Sequence, residues 1–198
     1  MADIRGPQKL GPLTPLVGYW EGDAGVDLSY HNDDDETSET SYFEKAYFRP
    51  IPIQENGKQK LWGLNYGMTA WRHGEEGMDP FHDEIGFLLW DKTNGQVIRN
   101  VVFGRGIAIL AGSDAGPGDR ELQFNATPGS PAYGILQNKY LLDRAEIRSF
   151  ESTFVLGEDG TLSYTSDLVL RLAATGGEMH HTDRNTLTRV KRIHPSEA

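Results

Sequence analysis

Tight-turn dipeptides recur along this chain between short runs rich in aromatic and β-branched residues, a spacing that favours hairpins over every other local arrangement. Asn56-Gly57, Asn94-Gly95 and Asp159-Gly160 each separate two such runs, and Gly104-Arg105-Gly106 and the stretch 115–119 supply further turns. The runs between them read as strands over 40–48, 61–71, 81–90, 96–103, 107–111, 121–127, 146–156 and 161–172, with a last one extending to Lys191. Arg49-Pro50-Ile51-Pro52 reads as a stop for the first, because proline donates nothing to a ladder. After an excursion over 128–138, residues 139–142 read as the opening of one more strand. No stretch has the period of a long amphipathic helix.

A meander of about ten short strands must cover or abolish its edges, and closing on itself does so completely. The predicted fold is therefore all-β: a closed, mainly antiparallel up-and-down barrel with room for one small ligand. A two-sheet sandwich or cupin-like jelly roll is the competing arrangement. The sequence divides into a flexible Gly/Pro leader over 1–12, a single barrel domain over 13–192 and a tail over 193–198. One helical turn is expected over 13–17, with Thr14 as N-cap, Pro15 in the first helical position and Gly18 as terminator.

Charge and composition exclude several function classes. The net charge of -10, from 19 basic against 29 acidic residues, argues against nucleic acid and anionic membranes as partners. The run Asn32-Asp33-Asp34-Asp35-Glu36 has the composition of a solvated loop and lacks the ligand spacing of a calcium loop. There is no cysteine, which removes disulfides, zinc-thiolate sites, iron-sulfur clusters and thiol nucleophiles together. With no apolar signal segment and no window of about 18 apolar residues, a soluble cytoplasmic protein is expected. Nucleophile-elbow, phosphate-loop and dinucleotide-binding motifs are all missing.

The chemistry-bearing residues are few. His180 and His181 open the last strand, and in an extended segment only one of the two can face an interior. The strand over 81–90 places His82 and Glu84 on one face and Phe87 on the other. That pair suits two metal ligands, a histidine oriented by its neighbour, or a polar row on a solvent face. Trp20, set among Gly18, Gly22 and Gly25, suits the plug of a barrel end. His31, His73 and His194 fall in polar segments and read as exposed.

Four pieces in order resemble the nitrobindin family, heme-binding β-barrels related in shape to fatty-acid-binding proteins and lipocalins. They are Leu16-Val17-Gly18-Tyr19-Trp20-Glu21-Gly22, Tyr42-x-Glu44, His82-Asp83-Glu84-Ile85-Gly86-Phe87, and Glu158-Asp159-Gly160-Thr161-Leu162. The resemblance implies a ten-stranded barrel holding ferric heme b, nitric oxide binding, and a peroxynitrite-isomerase-like activity if the chain is an enzyme. It also implies iron ligation by a histidine of the last strand. His181 falls nearest that position, with His180 the alternative, Thr182 and Asp183 beside the free ring nitrogen, and His82 and Trp20 as further cofactor contacts. Two departures stand out: the last glycine of the first motif is displaced by one residue, and Asp183-Arg184-Asn185 follows where small or apolar residues are usual. A carrier of a fatty-acid-like apolar ligand without heme is the alternative function, and a cupin-like metal enzyme using His82, Glu84 and His181 is a third. The small-molecule ligand is the partner expected, and a homodimer is compatible with the reading.

Overall fold

Alternating burial organises the chain into β1 (Gly18–His31), β2 (Glu36–Asn56), β3 (Gln59–Arg72), β4 (His82–Asp91), β5 (Gln96–Phe103), β6 (Ile107–Asp114), β7 (Glu121–Ala126), β8 (Ile135–Gln137), β9 (Ala145–Leu156), β10 (Leu162–Leu172) and β11 (Glu178–Lys191). The structure is a computed structural model describing residues 9–31 and 36–193, so the acidic run at 32–35 and His194 lie outside it. Every strand pairing is antiparallel, in the order β5-β4-β3-β2-β1-β11-β10-β9-β7-β6, and a β5–β6 ladder closes the ring. The result is a closed antiparallel barrel of ten strands, as the turn spacing predicts.

The ring has one weak seam. β7 meets β6 through a single pair, Gly112–Asn125, while the short β8 takes the other end of β6. The excursion between β7 and β8 seals the seam. Tyr133 lies so close over Gly112 that a Cβ there would collide with its ring, and its hydroxyl donates to Gln96 Oε1 at 2.9 Å. Gln137 then ties β8 to β9, accepting from Ile147 N at 2.9 Å and donating to Ile147 O at 3.2 Å.

Three local expectations are corrected. Residues Lys139–Arg144 form a short helix, α1, rather than a strand, because Asn138 caps its N-terminus by accepting from Leu141 N at 3.1 Å. β2 continues through both prolines. Pro50 is buried in the interior, and Pro52 falls in a ladder irregularity between Ile51 and Gln54, where no donor is required. The N-terminal turn is a 3-10 helix over Gly11–Leu16, begun at Leu10 without a side-chain cap and with Pro15 inside it.

That helix plugs one end of the barrel. Leu10, Leu13 and Leu16 are buried on Trp20 and Trp90, and Trp20 Nε1 donates to Leu16 O at 2.7 Å. The Arg189 guanidinium lies 4.5 Å above the Trp20 ring. Burying this much aromatic surface stabilises the closed end by several kcal/mol, on the order of 2 per fully buried side chain. The packed core therefore fills the plugged half and leaves the opposite half hollow.

Candidate functional site

The hollow half is a cavity of about 500 Å³, open where β1, β3, β5 and β10 end. One wall is apolar, built by Phe103, Ile107, Ile147, Phe150, Leu168 and Leu170. The other carries buried charge.

A one-residue irregularity in β1 makes that second wall. Between Gly22 and Gly25, β1 spends one residue more than β2, so Trp20 and Gly22 face inward before it, and Gly25, Asp27, Ser29 and His31 face inward after it. Gly25 is required at this place because a Cβ would run into the Tyr42 ring. The displaced glycine of the first sequence motif is thus the bulge that turns Asp27 into the barrel.

On β11 the inward set is Met179, His181, Asp183, Asn185 and Leu187, which places His181 on the cavity wall and His180 outside. His180 is exposed, with Nδ1 2.7 Å from Asp167 Oδ2. His181 Nε2 lies 2.6 Å from Asp27 Oδ1, and Asp183 Oδ2 is 3.9 Å from the same nitrogen. Ser29 Oγ donates to the other Asp27 oxygen at 2.5 Å. Burial alone would raise the Asp27 carboxyl, but the bond and charge of His181 outweigh it and hold it below the usual range. Burial likewise opposes the imidazolium of His181, and Asp27 with Asp183 overcomes it and raises its pKa. Above that pKa the ionised Asp27 keeps the proton on Nε2 and leaves the lone pair on Nδ1, which has no hydrogen-bond partner among the described residues.

A second cluster lies deeper. Arg99 Nη2 donates to Glu84 Oε1 at 2.7 Å, Nε to the Tyr66 hydroxyl at 2.8 Å and Nη1 to Ser152 Oγ at 3.0 Å, so each of its nitrogens is engaged. Four rings, of Tyr66, Phe124, Phe150 and Phe154, lie 4.9–5.9 Å from the guanidinium. His82 and Glu84 do share the inward face, with Nε2 3.7 Å from Glu84 Oε2, and Phe87 points out. Against the cost of burial, Arg99 and His82 pull Glu84 down to about 2, while Glu84, Asp183 and Glu44 carry His82 up to about 9. Nearby Glu44 makes no ion pair among the described residues. Burial pushes it up to about 8, although Tyr164 and Asn185 donate to Oε2 at 2.9 and 3.1 Å. Asp183, buried beside Asp27, is pushed up to about 6.

The sequence-derived site residues therefore separate. His181 and His82 reach the cavity, His180 does not, and Trp20 belongs to the plug at the far end. Thr182 alternates away from the cavity, and Asp27 rather than Thr182 or Asp183 makes the close bond to His181. His31 is half-buried at the mouth instead of exposed, whereas His73 is exposed with Nε2 3.0 Å from Asp23 O. Asp27, Arg99, Tyr164 and Asn185 were not apparent from the sequence. Only Glu44 and Tyr42 carried a signal, through the second motif of the resemblance.

A closed barrel plugged at one end, with an imidazole on the wall of a half-apolar cavity, defines a small-ligand-binding barrel. The chain belongs to the THAP4-like, heme-binding β-barrel domain family, whose model matches residues 9–189. The crystal structure of Rv2717c from M. tuberculosis is similar in fold, with a TM-score of 0.59 and 21% sequence identity over 89% of this chain and 94% of that one. No curated protein matches the chain significantly.

The residues present fit a heme. The cavity is open at one end, one wall is apolar, and His181 offers an imidazole nitrogen with no partner among the described residues. Asp27 sets the tautomer and orientation of that ring, as carboxylates do for ligating histidines.

Proposed function

We propose that the barrel binds heme b, that His181 would hold its ferric iron, and that the bound group would supply the chemistry for nitric oxide or peroxynitrite. The observation carrying this reading is the Asp27–His181 pair, which holds an imidazole on the cavity wall with Nδ1 free. Such a heme, when bound, would supply an iron able to take a small molecule. The protein's own residues do the rest. Asp27 fixes the imidazole, the aliphatic and phenyl wall excludes water from one face, and His82, held by Glu84, is a charged donor within the same cavity.

Arg99 weighs against the fatty-acid-carrier alternative. A buried guanidinium suits a fatty carboxylate, but here Glu84, Tyr66 and Ser152 already occupy it. The test is reconstitution with hemin. Wild type and His180→Ala should give the same saturable Soret band, and His181→Ala should shift it and weaken affinity by more than about 10-fold. An unaltered band in His181→Ala removes the ligand assignment, and no saturable binding by wild type removes the heme function.

A second reading has one specific observation behind it. Donor atoms of Asp27, His181 and Asp183 lie within 4.8 Å of one another, a set that suits a divalent cation. The third sequence-derived set, His82 with Glu84 and His181, is not brought together this way, since Glu84 serves Arg99. Titration with Co2+ separates the readings: d–d bands lost in Asp183→Asn, with no hemin binding, would favour the cation.

A further inference from the structure

We infer that Arg105 and Arg144, at the mouth of the cavity, form an anchoring pair for a ligand bearing carboxylates at one edge of an apolar body, an inference that rests on the heme reading and assigns the site's orientation and ligand class. Both residues line the cavity, and both are exposed. Neither side chain has a hydrogen bond or ion pair among the described residues, whereas several other cations are matched. Arg72, also at the mouth, reaches Glu75 at 3.5 Å; Arg148 and Arg171 share Glu146; Lys139 takes Asp143. In a protein of net charge -10, two unmatched guanidinium groups on one opening are an unpaired demand for anions.

The backbone beneath them is fixed. Arg105 sits on the β5–β6 turn, where Gly106 adopts φ 79° and Asn138 Nδ2 donates to Arg105 O at 2.6 Å. Arg144 ends α1, and its carbonyl accepts from Ala173 N at 2.9 Å, which ties the helix to the β10–β11 turn. Asn138 also caps α1, so one side chain links the two arginine-bearing segments.

A third observation points to a ligand independently. His31 Nε2 is buried at the same opening and has no hydrogen-bond partner among the described residues. A buried ring nitrogen left unmatched is destabilising by roughly 1–3 kcal/mol unless something enters to pair with it. The interior sets the ligand's direction. The inner cations Arg99 and His82 are already matched by Glu84, and Asp27 and Asp183 stand beside them, so nothing inside is left over to receive a carboxylate, while the apolar wall receives a ring system. Carboxylates therefore stay at the mouth.

The experiment compares hemin, metal-free protoporphyrin IX and the dimethyl ester of each, by absorbance and by porphyrin fluorescence, on wild type, Arg105→Ala/Arg144→Ala and Arg105→Lys/Arg144→Lys. Loss of the pair should weaken both free-acid porphyrins, roughly 5-fold per arginine and on the order of 20-fold together, with a smaller gap at high salt. The lysine pair should recover part of the loss, and the esters should bind all three proteins alike. Circular dichroism controls for folding, which exposed substitutions leave intact. Equal affinities of wild type and the alanine pair for free-acid porphyrin would overturn the inference while leaving heme binding standing. Arginine-dependent binding of protoporphyrin IX with no binding of hemin would do the reverse. Absence of saturable binding by either porphyrin overturns both.

Discussion

Replacing Arg99 by methionine tests whether the deep charge cluster is held as its geometry indicates. The substitution keeps the volume of the stem and removes bonds of 2.7, 2.8 and 3.0 Å to Glu84, Tyr66 and Ser152. Removing one partner of a buried ion pair typically destabilises by about 3–5 kcal/mol, because the other charge stays buried. The pKa of Glu84 gives an independent figure. Held at about 2 against an ordinary 4.5, it contributes roughly 3 kcal/mol at neutral pH. A depressed carboxyl stabilises above its unfolded pKa, so in wild type this contribution is complete above about pH 4.5 and is lost as pH falls towards 2.

Without Arg99 the sign reverses. Only His82 then opposes burial, the largest influence on Glu84, so burial raises the carboxyl as it raises its neighbour Glu44, and the variant loses stability as pH rises above 4.5. Urea denaturation at pH 7.5 should show a loss of about 3–5 kcal/mol, narrowing by more than about 1 kcal/mol at pH 4.5. Adding Glu84→Gln to the variant should restore at least about 1 kcal/mol at pH 7.5, since the unpaired charge is gone. A loss below about 1 kcal/mol, or a gap that does not change with pH, would refute the reasoning.

Three further outcomes are expected. Gly86→Ala should destabilise by at least about 2 kcal/mol in urea, because its Cβ would collide with the Asn100 carbonyl across the β4–β5 ladder. Trp20→Phe should lose about 1–2 kcal/mol with the bond from Nε1 to Leu16 O, and porphyrin affinity should not change, since the plug lies at the other end from the cavity. Hemin affinity should fall as pH is lowered through the raised pKa of His181, because the proton and the iron compete for one lone pair; a flat profile from pH 8 to about 5.5 would contradict the ligand assignment.

The fold was legible because its signals are local. Asn56-Gly57, Asn94-Gly95 and Asp159-Gly160 mark turns from two residues each, with Gly57, Gly95 and Gly160 all at positive φ, and edge avoidance turns a series of hairpins into a closed ring. Misreadings fell where tertiary context decides. Residues 139–142 look extendable until Asn138 caps the helix there, and Pro50 and Pro52 look like a stop although Pro50 keeps register with Leu64 and a ladder irregularity admits Pro52.

The site was legible to the extent that one strand's period sufficed. Counting back by twos along β11 from the buried Leu187 selects His181 over His180, and along β4 His82 and Glu84 share a face by the same rule. Asp27 could not be found this way. A regular strand through Trp20 would turn it outward, and one extra residue between Gly22 and Gly25 reverses that parity. Arg99 was hidden for another reason: a lone arginine in the apolar run of β5 has no local partner, and its match, Glu84, arrives from β4 through the Leu88–Arg99 and Glu84–Phe103 register. The imidazole that the sequence shows thus depends on two features it does not show directly. A bulge brings in the carboxylate that sets the ring's free nitrogen, and a buried ion pair keeps Glu84 and His82 charged beneath it.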